Sequence, residues 1–280
     1  MARAKAAERM DVLLMPLFRY PHFVARQLES AAHLRAHDYR WLVKRWRALA
    51  KRAGWSMRKF ATEDGFPVYA VASPEREGPR LYLSAGIHGD EPAATEALIT
   101  WCEKRLPALR KCEVLLFPCL NPWGLQHNSR HDAHGRDLNR GYHRSDVPVI
   151  EAQKRLLRGR VFDAAVMLHE DFDAQGVYLY EIPGARPLWG EKLLAAGARH
   201  VPGEPRSRVE GRKCRRGLIR TRVTPETLPE HPEAFFLRFG HTKRSLTFET
   251  PSEFSLTARV RAHCAVLDEV LRLAKGLSHR

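Results

Sequence analysis

The sequence has no long apolar run. In its 280 residues, no hydrophobic stretch approaches the roughly 20 residues that a membrane-spanning helix needs, so we expect no membrane span. A secretory signal is not expected either. The chain opens with basic residues and a short apolar stretch, but Asp11 interrupts that stretch and no small-residue cleavage site follows it.

Cysteine is scarce and shows no paired spacing. The five cysteines are odd in number, and no two of them have the two-residue separation of a thiolate metal motif: Cys102, Cys112, Cys119, Cys214 and Cys264. This pattern argues against a disulfide framework and against a thiolate zinc site. A reducing compartment fits it best, and we predict a cytoplasmic location.

Acidic residues are in deficit. The 32 Asp and Glu stand against 47 Lys and Arg, which gives a formal net charge of +15, an excess that attracts polyanions at low salt. The densest basic run, 206–222, lacks interleaved aromatic residues and matches no groove-binding or base-stacking motif. We therefore predict a solvated basic surface and no specific nucleic-acid binding; contact with an acidic substrate or a membrane surface is the alternative.

Strand-like and helix-like segments alternate along the chain. Apolar residues recur at helical spacing in four segments: 38–53, 93–106, 188–200 and 255–275. A further helix is expected near 145–148, and apolar or alternating stretches predict strands within 66–73, 80–87, 113–122, 164–170, 177–182 and 245–250. This alternation predicts a single α/β domain with an open, mostly parallel sheet covered by helices on both faces.

The two least regular regions are residues 1–30 and 202–241. The first has no clear period, so we interpret it as an N-terminal extension and assign 31–280 to the single folded domain. The second is rich in proline, arginine and glycine, which suggests a lid or a specificity region.

Three buried strands end in an ionisable residue. His88, His169 and Glu249 each follow apolar strand residues directly. Because ligands collect at the carboxyl ends of the strands in such sheets, we expect these side chains to converge there. Glu91 lies three positions after His88, just before the proline that opens a helix, and it should point into the same space.

These residue types suit a catalytic zinc ion. Zinc in enzymes typically takes three imidazole or carboxylate ligands and keeps one position for water, so we predict that His88, Glu91 and His169 bind one zinc per chain. The ion would lower the pKa of that water. Glu249 would then be free to act as the general base that takes the proton from the water and passes it to the leaving amine.

A long polar loop, 121–142, adds groups that could bind a substrate. A loop of this length without an apolar period is usually functional. Arg130 could stabilise the oxyanion that develops on a scissile carbonyl. Asn139 and Arg140 offer an amide and a planar guanidinium, which together suit a substrate carboxylate. A carboxylate clamp beside a metal suggests hydrolysis near a free carboxyl end.

Taken in order, these motifs resemble the zinc carboxypeptidase family of the carboxypeptidase A type. The resemblance spans 39–250 and is carried by HGDE, NPWG, SRHDAHGRDLNR, MLHED and TFET. It implies a mixed, mainly parallel sheet of about eight strands between helices. It also implies zinc ligands at His88, Glu91 and His169, an oxyanion arginine at Arg130, a carboxylate-binding pair at Asn139 and Arg140, and a catalytic glutamate at Glu249.

We therefore predict a zinc metallocarboxypeptidase that hydrolyses an amide bond next to a free carboxylate, in a small peptide or a modified amino acid. The same scaffold hosts relatives of the aspartoacylase and succinylglutamate desuccinylase type, which remove an acyl group from an amino acid; this activity is the alternative. A metal-free binding protein with a basic surface is a third hypothesis, against which the complete set of ligands and base argues.

The sequence departs from the family pattern at several positions. Family carboxypeptidases place a tyrosine late in the chain, whereas the last tyrosine here is Tyr180. Trp123 replaces the aspartate of Asn-Pro-Asp-Gly, and Glu170 stands where a small residue is frequent. Glu170 and Asp171 could orient the imidazoles or form part of an unusual subsite. Four further histidines are expected on the loop surface: His127, His131, His134 and His143.

Overall fold

Residues next to α1 (Tyr39–Ala53), the first helix within the described residues, set where it begins and ends. The computed structural model describes residues 35–220, 224 and 230–277, so the predicted extension, 1–30, lies outside them. Asp38 caps α1 by accepting a hydrogen bond from the Trp41 N–H at 2.9 Å. Gly54 ends the helix with a φ of 70°, a conformation that glycine adopts without steric cost.

An eight-stranded sheet forms the centre of the described region. Its strand order is β1-β2-β4-β3-β5-β10-β6-β9, and a separate hairpin pairs β7 with β8. Four of the seven neighbouring pairs are parallel and three are antiparallel. The strands are β1 (Ser56–Glu63), β2 (Phe66–Ala72), β3 (Arg80–Ser84), β4 (Glu113–Phe117), β5 (Ala164–Asp171), β6 (Tyr178–Ile182), β7 (Arg208–Val209), β8 (Arg212–Lys213), β9 (Leu218–Ile219) and β10 (Ser245–Pro251).

Side chains of the central strands alternate between two apolar layers. In β3, Leu81 and Leu83 pack into one layer and Tyr82 packs into the other. In β5, Val166 and Met167 divide in the same way. Both faces of these strands are buried, and their sequences are therefore nearly continuous apolar runs.

Helices cover the two faces. One layer receives side chains from α1, α2 (Pro92–Leu109), α5 (Gly190–Gly197) and α7 (Leu256–Lys275), and the other from α4 (Pro148–Leu157) and α6 (Glu233–Gly240). The short α3 (Pro122–His127) follows β4. Of the helices in the described ranges, none combines the length and apolarity that crossing a bilayer requires.

The predicted fold class is confirmed: the described region is a single α/β domain with a mixed, mainly parallel eight-stranded sheet between helices. β3, which lies within the strand predicted at 80–87, is a central strand between β4 and β5. The sequence analysis did not predict β1, an edge strand that is mostly exposed or half-buried. It also left the helix α6 unassigned within the irregular region 202–241.

Candidate active site

A tight turn after β3 positions two of the candidate ligands. Gly86 has a φ of 62°, and a Cβ at this position would lie 2.7 Å from the Thr95 side chain, so the turn requires glycine. The chain then reaches His88, and Glu91 precedes Pro92, the first residue of α2. The His88 and Glu91 side chains are buried as a result.

His88, Glu91 and His169, hereafter the donor trio, meet at one edge of the sheet. His88 Nδ1 lies 2.5 Å from Glu91 Oε1, and His169 Nδ1 lies 3.0 Å from Glu91 Oε2. The centroids of the two imidazole rings are 5.0 Å apart. One potential ligand atom from each residue lies within 4.8 Å of the other two. The structure therefore brings together the three residues that the sequence indicates as metal ligands.

The donor trio fits a divalent cation of the zinc type. Two imidazole nitrogens and one carboxylate oxygen are ligands that catalytic zinc sites use. Glu91 Oε2 is buried and, although close to His169, makes no hydrogen bond of acceptable geometry within the described residues. A buried carboxylate oxygen without a hydrogen bond is costly in free energy, and coordination to a cation would offset that cost.

The electrostatics of the donor trio keep Glu91 ionised. Burial alone would raise the pKa of Glu91, but the adjacent imidazoles of His88 and His169 hold that pKa well below its usual range. Burial would likewise lower the pKa of His88, yet the neighbouring Glu91 carboxylate raises it to about 9. The ionised carboxylate therefore stabilises positive charge beside it, which protons or a metal ion can provide.

Asp137 holds His88 through its second ring nitrogen. Asp137 Oδ1 lies 3.2 Å from His88 Nε2 and accepts a hydrogen bond from the Asn139 N–H at 2.9 Å. Its other oxygen accepts from Arg130 Nη2 at 2.9 Å. A carboxylate on the second nitrogen of a ligand histidine fixes the orientation of the ring. The sequence analysis missed Asp137, although it lies in the GRDLNR run, between the two predicted site residues Arg130 and Asn139.

Arg130 reaches the donor trio from the loop that follows α3. Its Nη1 lies 3.2 Å from His88 Nδ1 and 3.8 Å from Glu91 Oε1. The ion pair with Asp137 anchors the guanidinium. The side chain remains 37% exposed and lines the adjacent cavity, so Arg130 can donate a hydrogen bond to a ligand in that cavity.

Arg140 and Asn139 lie together on a short 3₁₀ helix but have different partners. Arg140 lines the cavity with a side chain that is 40% exposed, and its Nε lies 3.3 Å from a carboxylate oxygen of Glu230. Asn139 also lines the cavity. Its Oδ1, however, accepts a hydrogen bond from the Glu233 backbone N–H at 3.0 Å, which ties Asn139 to the start of α6.

Glu249 faces the same cavity from β10 and is buried. It is paired in register with His169 on the adjacent parallel strand β5. Burial raises the pKa of Glu249 well above its usual value; His169 opposes that rise, and the negative charges of Glu91 and Glu210 add to it. A carboxyl group with a raised pKa, placed in a cavity, has the properties of a general base or acid.

The cavity itself has a volume of about 570 Å³. Two tyrosines of β6 line it: Tyr178 donates a hydrogen bond to Asp171 at 2.9 Å, and Tyr180 donates one to Glu210 at 2.6 Å. Phe172 also lines the cavity and is 73% exposed, which places its ring at the rim. Tyrosine side chains thus line the cavity, although none follows Tyr180 in the sequence.

The other polar residues singled out in the sequence divide between the cavity wall and the exposed surface. Of the basic run, Arg206 and Arg212 line the cavity, and Arg206 is paired with Glu204 at 2.6 Å. The four extra histidines are exposed, as predicted: His127, His131, His134 and His143. Over the described ranges, none of these four belongs to a group of three potential metal ligands.

Comparison with known protein families agrees with this arrangement. Residues 77–172 match the model of the succinylglutamate desuccinylase/aspartoacylase catalytic domain. This segment contains the whole donor trio. A comparison with curated protein sequences finds no match.

Solved structures share the fold over most of the chain. A protein from Shewanella amazonensis SB2B, provisionally described as a metallopeptidase, superimposes with a TM-score of 0.77 at 19% identity, over 86% of this chain and 94% of its own. A metallo-carboxypeptidase from Burkholderia cenocepacia superimposes with a TM-score of 0.61 at 17% identity, over 84% of this chain and 68% of its own. A metallo-carboxypeptidase from Pseudomonas aeruginosa, in complex with (2-guanidinoethylmercapto)succinic acid, superimposes with a TM-score of 0.60 at 18% identity, over 85% of this chain and 69% of its own. At these identities the likeness shows a shared fold, and the reaction must be argued from the site.

Proposed function

We propose that this chain, which has the zinc carboxypeptidase-like fold and a segment similar to the desuccinylase and aspartoacylase family, is a zinc-dependent hydrolase. In this proposal it cleaves a peptide or amide bond next to a free carboxylate. The observation that carries the proposal is the convergence of the donor trio, Glu249 and two arginines, Arg130 and Arg140, on one cavity.

The donor trio would hold one zinc ion per chain. When bound, the ion supplies Lewis acidity toward the scissile carbonyl and lowers the pKa of the attacking water. Glu249 accepts the proton of that water and delivers it to the amine nitrogen as the C–N bond breaks, which returns Glu249 to its ionised form. Asp137 keeps the His88 ring in a fixed orientation throughout.

The two arginines have separate tasks in this mechanism. Arg130 lies next to the donor trio and donates to the carbonyl oxygen as negative charge develops on it. Arg140 pairs with the substrate carboxylate, because its planar guanidinium can donate two parallel hydrogen bonds. Asn139 contributes its amide N–H groups to the same carboxylate while its oxygen stays bonded to Glu233.

The cavity has room for the end of a peptide. Its volume of about 570 Å³ lies within the range of pockets that hold drug-sized ligands. Phe172 at the rim offers an apolar surface to the portion of a peptide that leaves the cavity. The N-acyl amino acid deacylase is the second candidate, because the family model that matches residues 77–172 is of that type.

A substrate panel separates the two activities. Purified protein should contain about one zinc per chain and should hydrolyse carboxyl-terminal dipeptides faster than N-acyl amino acids. The reverse preference would establish the deacylase, and zinc-free protein without turnover of either class would favour a metal-free binding protein. We further propose a cytoplasmic location, which the five free cysteines support.

A further inference from the structure

Glu170 follows His169 on β5, yet its contacts lie with two helices. Its side chain is fully buried. One oxygen accepts a hydrogen bond from the Ala93 backbone N–H at 2.6 Å, and the other forms an ion pair with Arg259. Ala93 belongs to α2 and Arg259 to α7. The Glu170 carboxylate therefore joins the strand of one donor residue to two helices on one face of the sheet.

The start of α2 requires a capping group from outside the helix. The residue before a helix commonly supplies a side-chain oxygen to the second or third N–H of that helix. Glu91 occupies this place but makes no such hydrogen bond, because its carboxylate is directed at the two imidazoles of the donor trio. Pro92 has no N–H, so the Ala93 N–H is the first in α2 that needs an acceptor. Glu170 provides that acceptor.

Arg259 holds Glu170 in its capping position. Its Nη1 pairs with the Glu170 carboxylate, and its Nε donates to the Phe254 carbonyl oxygen at 2.9 Å. A buried carboxylate needs such a partner, since an uncompensated buried charge is strongly destabilising. The ion pair thus makes it possible for a carboxylate to be buried next to the metal-donor residues.

We propose that Glu170 is a positioning residue that caps α2 in place of Glu91 and so fixes the helix start bearing Glu91 to the strand end bearing His169. Glu91 can then turn its carboxylate toward the imidazoles without leaving the helix uncapped. Partners that orient metal ligands typically contribute about 10- to 100-fold to metal affinity. The inference rests on the proposed zinc-binding function.

Two double variants isolate the capping hydrogen bond. Glu170→Met with Arg259→Met removes both charges and the acceptor, whereas Glu170→Gln with Arg259→Met removes the ion pair but keeps an oxygen for the Ala93 N–H. Neither leaves an unpaired buried ion. Zinc is titrated into each metal-free protein in competition with a chromophoric chelator. We expect the methionine pair to bind zinc about 10- to 100-fold more weakly than the glutamine-containing pair.

A matched control separates positioning from general stability. Arg45 and Glu96 form another buried ion pair, at 2.6 Å, and Glu96 lies on the same helix α2. Arg45→Met with Glu96→Met should lower thermal stability and leave zinc affinity unchanged. The inference would be overturned if the two Glu170 double variants bound zinc with equal affinity, or if the Arg45 control lost as much zinc affinity as the variant with Glu170→Met. Either result would leave the proposed function standing. Wild-type protein that binds no zinc would overturn the proposed function first.

Discussion

Glu249 and His169 are paired in register across two parallel strands, at the carboxyl-terminal ends of β10 and β5. The candidate base and one metal-donor residue therefore belong to the same rigid part of the sheet. Their separation is set by backbone hydrogen bonds between strands that are buried on both faces. Such placement gives the site the preorganisation that catalysis needs.

Replacing the candidate base should slow turnover strongly without releasing the metal. Glu249→Gln keeps the shape of the side chain but cannot take a proton from water, so kcat should fall by about 10²- to 10⁴-fold. Zinc content should match the wild type, because Glu249 is outside the donor trio. Thr247→Val, two residues earlier on β10 and also in the cavity wall, is the control and should keep near wild-type turnover. Full activity in Glu249→Gln would refute the assignment.

The acidic limb of the pH profile should respond to Glu210. Glu249 must be ionised to act, so activity is lost as pH falls through its pKa, which burial raises and the nearby Glu210 charge raises further. Glu210→Gln removes that charge and lowers the Glu249 pKa, so the acidic limb of kcat/KM should move to lower pH. Tyr180→Phe removes the hydrogen bond to Glu210 but not the charge, and it should cause no such shift. A limb that stays in place in Glu210→Gln would argue against Glu249 as the base.

The two cavity arginines should affect different kinetic constants. Arg140→Met removes charged hydrogen bonds worth about 1.5 to 3 kcal/mol, so KM should rise by roughly 10- to 100-fold with a smaller change in kcat. Arg130→Met should lower kcat by about 10²- to 10³-fold. Steady-state kinetics on a carboxyl-terminal dipeptide measures both. The opposite pattern would exchange the two roles.

Fold stability should depend on pH through Glu63, away from the donor trio. Burial, with Asp132 nearby, raises the pKa of Glu63 from 4.5 to about 8. The native state therefore holds a proton that the unfolded chain has released, and the resulting contribution to the free energy of unfolding is lost as pH rises from about 4.5 to about 8. Glu63→Gln should reduce this loss by up to a few kcal/mol, whereas the exposed Glu75→Gln should not. Urea unfolding at pH 5 and pH 9 measures the difference in the free energy of unfolding. An equal fall in that free energy from pH 5 to pH 9 in wild type and Glu63→Gln would contradict the prediction.

The sequence predicted the central fold well because burial on both faces leaves a clear pattern. β3, β4, β5 and β10 are buried over nearly their whole length, and each carries apolar residues on both faces before turn residues or an ionisable side chain. Parallel strand ends converge at one edge, so the meeting of the donor trio could be predicted without coordinates. β1 escaped prediction because an edge strand has little apolar patterning.

Other parts of the site depend on contacts between distant segments. Asp137 contacts His88 and Arg130 only because a loop folds back onto the strand ends. Glu170 caps α2 from a neighbouring strand. Prediction from sequence considers only the residue before the helix as the cap, so it could not identify Glu170. The hairpin that carries Glu210 to the cavity has strands of two residues each, too short to show a period.

The most direct test of the account is a calorimetric zinc titration of the metal-free protein and of three single variants: His88→Ala, Glu91→Ala and His169→Ala. The account predicts one tight zinc per chain in the wild type and no stoichiometric binding in any of the variants. A wild type without a tight site, or variants that still bind one zinc with wild-type affinity, would contradict it.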